Sequence, residues 1–529
     1  MSFSLANSCL AITCHWIDDQ FRLNEALLDF SEIPGQSRGA EDLAPIVFEV
    51  LEDFGIIEKL YCITSDSASN NFTMSEGLSL LMKQKYDIDW DNETRHIPCL
   101  AHIIHNVAKT FLRSIKASAS EPDDDTPPIP GFECSVLLEK VRSLAKKISG
   151  AWGQFASICQ SYDITPLKIY LDCTTRWGST HRMIERVLVM KKAVSRFIQD
   201  REDCEDYWIT SAEWDLLELI CAFLWPFRWA TESIESTTKP EIDRVFYIYN
   251  TLFDRMDDFK TTLESRQGRR HSYSADLIAA LDKMREHLTK YYTKTGKPGV
   301  YSDSMILHPR IKLQLFRTQA WAVTDADKYA KECRERYDSD YASLEGITEP
   351  ATYMGLPHKR KADDLDDADI AYEAFMQSLE DSTPVASHEL EKYLNKPREP
   401  GVVWALEWWR VHYREYPHLA RMARDVFSVP PSGAGVEREF SIAGRVATWQ
   451  RNRLHASTIT AIMMYKNYLK RINRPVLVEL DLVETIGIES ESMDGEPETP
   501  QEAEVAELTL KDWRKGWKDR LNGVVGTRI

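Results

Sequence analysis

Pro430-Pro431-Ser432-Gly433-Ala434-Gly435-Val436-Glu437-Arg438-Glu439-Phe440-Ser441-Ile442-Ala443-Gly444 sets an acid, an arginine and an aromatic on one short helix behind a proline, serine and glycine approach. Arg451-Asn452-Arg453-Leu454 follows. Glu439 lies two residues beyond Glu437, hence about 200° around a helix, so only one of the two acids can face a given neighbour. Arg438 between them either contacts a phosphate or braces an acid.

Working outward, residues 8–17 (Ser-Cys-Leu-Ala-Ile-Thr-Cys-His-Trp-Ile) read as a buried β run, and Arg22 to Phe30 alternates like a paired strand. A Gly/Ser/Pro stretch from Pro34 to Gly39 then gives way to Leu43, Ile46, Val47, Val50, Leu51 and Phe54 at helical spacing. Leu60 to Thr64 is a short apolar strand running to Asp66. Two strands, a helix and a strand ending in an acid are how an RNase H-like core begins. The helix would serve as the crossover needed to bring the last strand parallel to the hairpin.

After about residue 116 helical patterns dominate, among them Leu216 to Phe223, Ile242 to Phe259 and Ala275 to Tyr292. The expected fold is an α/β RNase H-like core interrupted by a large all-α insertion, mainly helical overall. Its expected divisions are 1–115 for the first part of the core, 116–400 for the insertion and 401–475 for the rest of the core. Residues 476–529 form an acidic tail. Trp404, Leu406, Trp408 and Trp409 suit a helix that docks through aromatics.

The chain has 529 residues and is 43% hydrophobic, enough for two or three domains with a sizeable core. Its ten Cys are scattered without a repeated spacing, and no apolar run reaches the roughly 18 residues of a membrane span. A soluble protein with reduced thiols and no membrane partner is expected. The formal charge of -18 opposes nucleic-acid binding only if it is evenly spread. It is not: residues 401–475 hold twelve Lys/Arg against five Asp/Glu, whereas residues 476–529 hold six against thirteen.

Asp66 sits where an apolar strand meets the polar turn Ser67-Ala68-Ser69-Asn70-Asn71, so its carboxylate can face a cleft from an anchored backbone. Capping the following helix is the plainer alternative. Cys99 and His102, with His105 three residues on, share a helical face. A structural zinc needs four ligands, no second pair lies at finger-like spacing, and zinc is not expected. In Asp172-Cys173-Thr174-Thr175-Arg176-Trp177-Gly178-Ser179-Thr180, Arg176 can grip a phosphate and Trp177 can stack on a base. Equally, Trp177 anchors helix packing while Arg176 binds Asp172.

Taken together, the Glu437 block, Asp66-x-Ala-x-Asn-Asn, Cys99-x-x-His102 and Thr175-Arg176-Trp177 resemble the ordered motifs of hAT-superfamily DNA transposases. The resemblance runs from about residue 7 to 475, and it implies that 401–475 includes the family's dimerisation region. It implies that Asp66 and Glu437 are catalytic carboxylates holding Mg²⁺ or Mn²⁺, and that Arg176, Trp177 and Arg438 contact DNA. Cys99 and His102 would organise the active site. It further implies phosphodiester cleavage and strand transfer at transposon ends, a homodimer or larger homo-oligomer, and a nuclear location. His358-Lys359-Arg360-Lys361 is a weak import signal for the last.

One departure stands out. The family's first catalytic Asp, within Asp-x-Trp-Thr-Ser, has no match in Met1-Ser2-Phe3-Ser4-Leu5-Ala6-Asn7, and no BED-type zinc finger precedes it. Gly178 also replaces the usual Asn. The expectation is a transposase derivative with impaired cleavage. The alternative is a non-enzymatic DNA-associated dimerisation protein that keeps the scaffold.

Overall fold

The structure is a computed structural model that describes residues 9–33, 40–66, 69–115, 134–172, 177–235, 239–265, 274–318, 324–343, 389–446 and 456–471. Arg176, the Arg451 to Leu454 block, the His358 to Lys361 cluster and the acidic tail lie outside the described residues. Two compact units emerge, and neither is continuous in sequence. One comprises Met1–Ile97, Ser236–Val245 and Gly296–Phe440; the other comprises Pro98–Glu235, Phe246–Thr295 and Ser441–Ile529.

In chain order the first unit opens with β1 (Cys9–Ile17), β2 (Leu23–Glu32), α1 (Ala40–Asp53), β3 (Ile63–Ser65), α2 (Ser69–Tyr86), α3 (Asn92–Arg95) and β4 (His96–Pro98). Helices then follow: α4 (Leu100–Ser114), α5 (Cys134–Gly150), α6 (Trp152–Ser161), α7 (Trp177–Val189), α8 (Lys191–Gln199) and α9 (Ser211–Glu232). Next come α10 (Val245–Ser265), α11 (Ser274–Tyr292), α12 (Gly299–Ile306) and α13 (Asp325–Asp340). The last are α14 (Glu389–Asn395), α15 (Ala405–His412), α16 (Pro417–Ser428), α17 (Ala434–Val446) and α18 (Ala456–Arg471).

β1 and β2 form an antiparallel hairpin with a register shift at Ile12/Thr13. Its turn is held by Asp18, whose Oδ1 accepts the Gln20 and Arg22 N–H groups at 2.9 Å each. β1 is mostly half-buried, with Ala11 and Ile17 enclosed, so the expected fully buried run is instead a strand packed largely on one side.

α1 and α2 supply Ala44, Val47, Phe48, Leu51, Met74, Leu78 and Met82 to a core that also holds Ile57 and Trp90. Leu10 and Ile12 of β1 and Ile63 of β3 pack against that core. The two helices meet at Gly77, where an added Cβ would lie 2.8 Å from the Ala44 Cβ. Among the described residues β3 pairs with β4, and the expected parallel pairing with the hairpin is not formed. Apolar burial brings β3 onto the shared core, but that force is non-directional and does not choose a ladder partner.

The second unit is helical. Its α4 is apolar along one face, with Ile103, Ile104, Val107, Ala108, Phe111 and Leu112 buried. Phe111 meets Phe223 of α9 at 4.6 Å between ring centres, and Phe223 stacks on Phe259 of α10 at 4.4 Å. α11 runs along α4, tied to it by Thr110 and His287 at 2.8 Å. Among the described residues no helix is long and apolar enough to cross a membrane.

Candidate functional site

Asp66 follows β3 and is exposed. Its Oδ1 accepts the Asn71 Nδ2 at 2.7 Å, so the second Asn of the turn fixes the carboxylate from the first helical turn of α2. Beside it, Ser65 Oγ and His96 Nε2 hydrogen-bond at 2.7 Å. Burial lowers the His96 pKa, and the Asp66 charge works in the opposite direction. His96 therefore borders the site through β4, a role its position three residues before Cys99 did not disclose.

Below β3 lies a buried charged layer. Asp303 of α12 has no exposed surface and accepts Arg336 Nε and Nη2 at 2.7 Å each. Asp425 of α16 accepts the Tyr341 hydroxyl at 3.0 Å. Arg95 reaches the Tyr61 carbonyl at 3.4 Å and stands over the Tyr61 ring. Burial pushes the neighbouring Cys62 thiol up to about 12, so it stays protonated at neutral pH.

The Glu437 helix is fixed from two sides. Thr64 Oγ1, two residues before Asp66, donates to the Pro430 carbonyl at 2.7 Å. α17 also lies on the hairpin: Arg438 Nη2 meets Glu25 Oε2 at 2.9 Å, and Phe440 packs on Phe30 at 5.4 Å. Gly435 makes this approach feasible, because a Cβ there would sit 2.6 Å from Glu25 Oε1 and 3.4 Å from His15 Nε2. Glu437 itself is exposed. Of the two readings of Arg438, the structure shows the brace: its guanidinium is engaged by a carboxylate of β2. Desolvation lowers the pKa of His15 beside this pair, with Glu25 opposing and Arg438 reinforcing the shift.

Asp66 and Glu437 carry oxygen donors of the kind Mg²⁺ prefers. Among the described residues no group of three or more His, Cys, Asp or Glu is arranged to hold a metal. The donor set suits a hard cation in type and provides two carboxylates. Asp18 and Asp19 do not add to it, since Asp18 holds its own turn and Asp19 pairs with Arg424 at 3.0 Å.

Cys99 and His102 belong to the helical unit. Cys99 is buried at the N-cap of α4, and His102 stacks on His105 with ring centres 6.2 Å apart. Burial lowers the His105 pKa to about 4, helped by His102, Lys109 and Arg113. A histidine held neutral in the fold stabilises it above the unfolded value near 6.5, and this contribution is lost as pH falls through about 4. Urea unfolding should show a loss of about 1–2 kcal/mol between pH 6.5 and 4 that is absent in His105→Gln, after discounting for partial exposure.

Trp177 is only 8% exposed and packs inside the helical unit, so its ring presents no stacking face in this structure. Asp172 receives Arg142 through Nε and Nη2 at 2.7 Å each and Thr180 Oγ1 at 2.9 Å. Arg142 is thus a partner of Asp172, and Trp177 is a buried packing residue at the start of α7. His308 is likewise structural, buried 3.6 Å from Asp243.

An α/β portion carrying acids at a strand end and on a returning helix, joined to a helical portion, defines an RNase-like protein with a helical companion domain. Residues 4–93 match the ZBED1 RNase-like domain and residues 133–223 match the ZBED1 RNase-like helical domain. Residues 389–469 match the hAT family C-terminal dimerisation region. These matches support a hAT-family transposase-like protein. It is 26% identical over 476 residues to a putative transcriptional regulator, tpeD, of Talaromyces stipitatus, covering 87% of this chain and 51% of that protein. It is 24% identical over 477 residues to a putative AC transposase of Zea mays, covering 87% and 55%. Against the zinc finger BED domain-containing protein RICESLEEPER 2 of Oryza sativa subsp. japonica the identity is 22% over 488 residues, covering 87% and 63%. The chain thus spans about half the length of these two curated relatives, tpeD and the putative AC transposase.

Proposed function

We propose that this chain is a nuclear, homo-oligomeric, transposase-derived DNA-handling protein built on an RNase H-like core with a helical insertion. Asp66 and Glu437 are its acidic centre. The observation that carries this reading is the Thr64 to Pro430 hydrogen bond, which ties the strand before Asp66 to the loop before Glu437. When bound, Mg²⁺ or Mn²⁺ would supply Lewis-acid activation of water and of the leaving oxygen in phosphodiester cleavage. Asp66, oriented by Asn71, and Glu437, held outward by the Arg438 and Phe440 contacts, would hold it.

Two carboxylates bind the ions less well than three, so cleavage resting on Asp66 and Glu437 alone should be slow. Purified protein incubated with transposon-end duplexes and Mn²⁺ is expected to nick weakly, with Asp66→Asn and Glu437→Gln each reducing the rate about tenfold or more, equal to 1.4 kcal/mol of barrier. Nicking insensitive to both substitutions would refute the assignment. The second reading is a non-enzymatic DNA-associated dimerisation protein, supported by the match of residues 389–469 to the dimerisation region. That reading requires a dimer by light scattering and DNA retention with no nicking at all.

A further inference from the structure

The helical unit carries a cationic surface on α7 and α9. On α7, Arg182 and Arg186 are one turn apart, about 6 Å along the axis. α9 packs beside α7 and presents Trp225, Arg228 and Trp229 along one side, all half-buried. Arg186 donates to the Lys168 carbonyl and stands over the Tyr170 ring at 4.9 Å. Arg228 lies 5.9 Å from the centre of the Trp225 ring. It is also neutralised by two acids, Glu185 at 3.0 Å and Glu232 at 2.7 Å.

Arg182 differs from both. It is exposed, and among the described residues it makes no hydrogen bond or ion pair. Partial desolvation lowers its pKa, and the Arg228 and Arg186 guanidiniums repel it further, against weaker attraction from Glu232 and Glu185. Three guanidiniums face two carboxylates, and both carboxylates are already held by Arg228. A helix-stabilising salt network accounts for Arg228 and gives no role to Arg182. An anion would relieve the repulsion, and guanidinium matches phosphate in planar geometry and donor count.

We propose that Arg182, with Arg186 and the Trp225 edge of α9, forms a binding site for a backbone phosphate of a nucleic-acid strand. An aromatic ring bordering phosphate-binding cations is the combination found on surfaces that track strands. This site does not depend on Asp66 or Glu437, and its loss would leave their chemistry untested and intact.

The test is fluorescence anisotropy of a labelled single-stranded oligonucleotide with the full chain in EDTA, from 50 to 200 mM salt. Without divalent metal the readout is independent of cleavage. Arg182→Ala should weaken binding about three- to tenfold and reduce the slope of log K against log salt by about 0.7, the value for one single-strand phosphate contact. Arg182→Glu should weaken it further. Arg182→Ala should keep the parental melting temperature to within a few degrees, because Arg182 makes no hydrogen bond or ion pair among the described residues. Unchanged affinity and slope in a folded Arg182→Glu variant would overturn the proposal. So would full displacement of the oligonucleotide from the parental chain by an equimolar amount of inorganic phosphate, which would mark a small-anion site.

Discussion

Arg336→Met is expected to lower the unfolding free energy by about 3–5 kcal/mol, the usual cost of leaving one member of a buried ion pair uncompensated. Asp303 has no exposed surface, and both its oxygens accept from the Arg336 guanidinium at 2.7 Å. Burial acts against the charge on Arg336, yet Asp303 outweighs it and holds the guanidinium pKa above its ordinary value. The double variant Asp303→Leu/Arg336→Met removes both charges and should recover most of the loss, because desolvation offsets much of the attraction within such a pair. Thermal melts of the parent and the variants of this double-mutant cycle, including Asp303→Leu alone, decide the matter. If Arg336→Met melts within a degree of the parent, the pair contributes nothing. A loosened α12 and α13 should also disturb the Tyr61 and Cys62 approach to β3, so Asn71 would hold Asp66 less firmly.

Glu389→Ala should cost about 2–4 kcal/mol. The Glu389 carboxylate is fully buried and closes the start of α16, accepting the His418 and Leu419 N–H groups at 3.0 and 2.9 Å and meeting His418 Nδ1 at 2.7 Å. The first N–H groups of a helix have no partner within it. Alanine would strand two of them in a buried place, at about 1–3 kcal/mol each. Glu389→Gln keeps one oxygen acceptor and should lose less. Because α16 packs on β1 through Arg424 and the Ile17 carbonyl at 2.9 Å, the damage should reach the hairpin. Equal urea midpoints for alanine, glutamine and parent would contradict the capping role.

Local patterns carried much of this structure in the sequence. The hairpin, the 41–54 helix and the strand before Asp66 appear as β1, β2, α1 and β3 within a few residues of their expected bounds. Trp409 is fully buried, as its aromatic run implied. What local pattern cannot reveal is the partner across the fold. Arg438 reaches Glu25 over 413 positions, and nothing near either residue marks the other. Trp177 shows the same limit from the opposite side: an Arg-Trp pair reads equally as a DNA contact or a packing anchor, and only the fold shows that the Trp177 ring is buried. His96 fitted no ligand spacing, and β3 with β4 brought it beside Ser65.

The bond between Thr64 and Pro430 spans 366 positions, and this has a consequence for biosynthesis. At about 5–20 residues per second, the ribosome needs roughly 20–70 s to make Pro430 after Thr64 has been added. Throughout that interval β1, β2, α1 and α2 exist without α16 and α17, and Phe30 lacks the ring of Phe440. The nascent amino-terminal portion therefore waits with apolar surface open to solvent, which makes chaperone attendance and translation speed determinants of how much active fold accumulates. Synonymous codon changes between residues 98 and 430 would alter yield while leaving every side chain untouched.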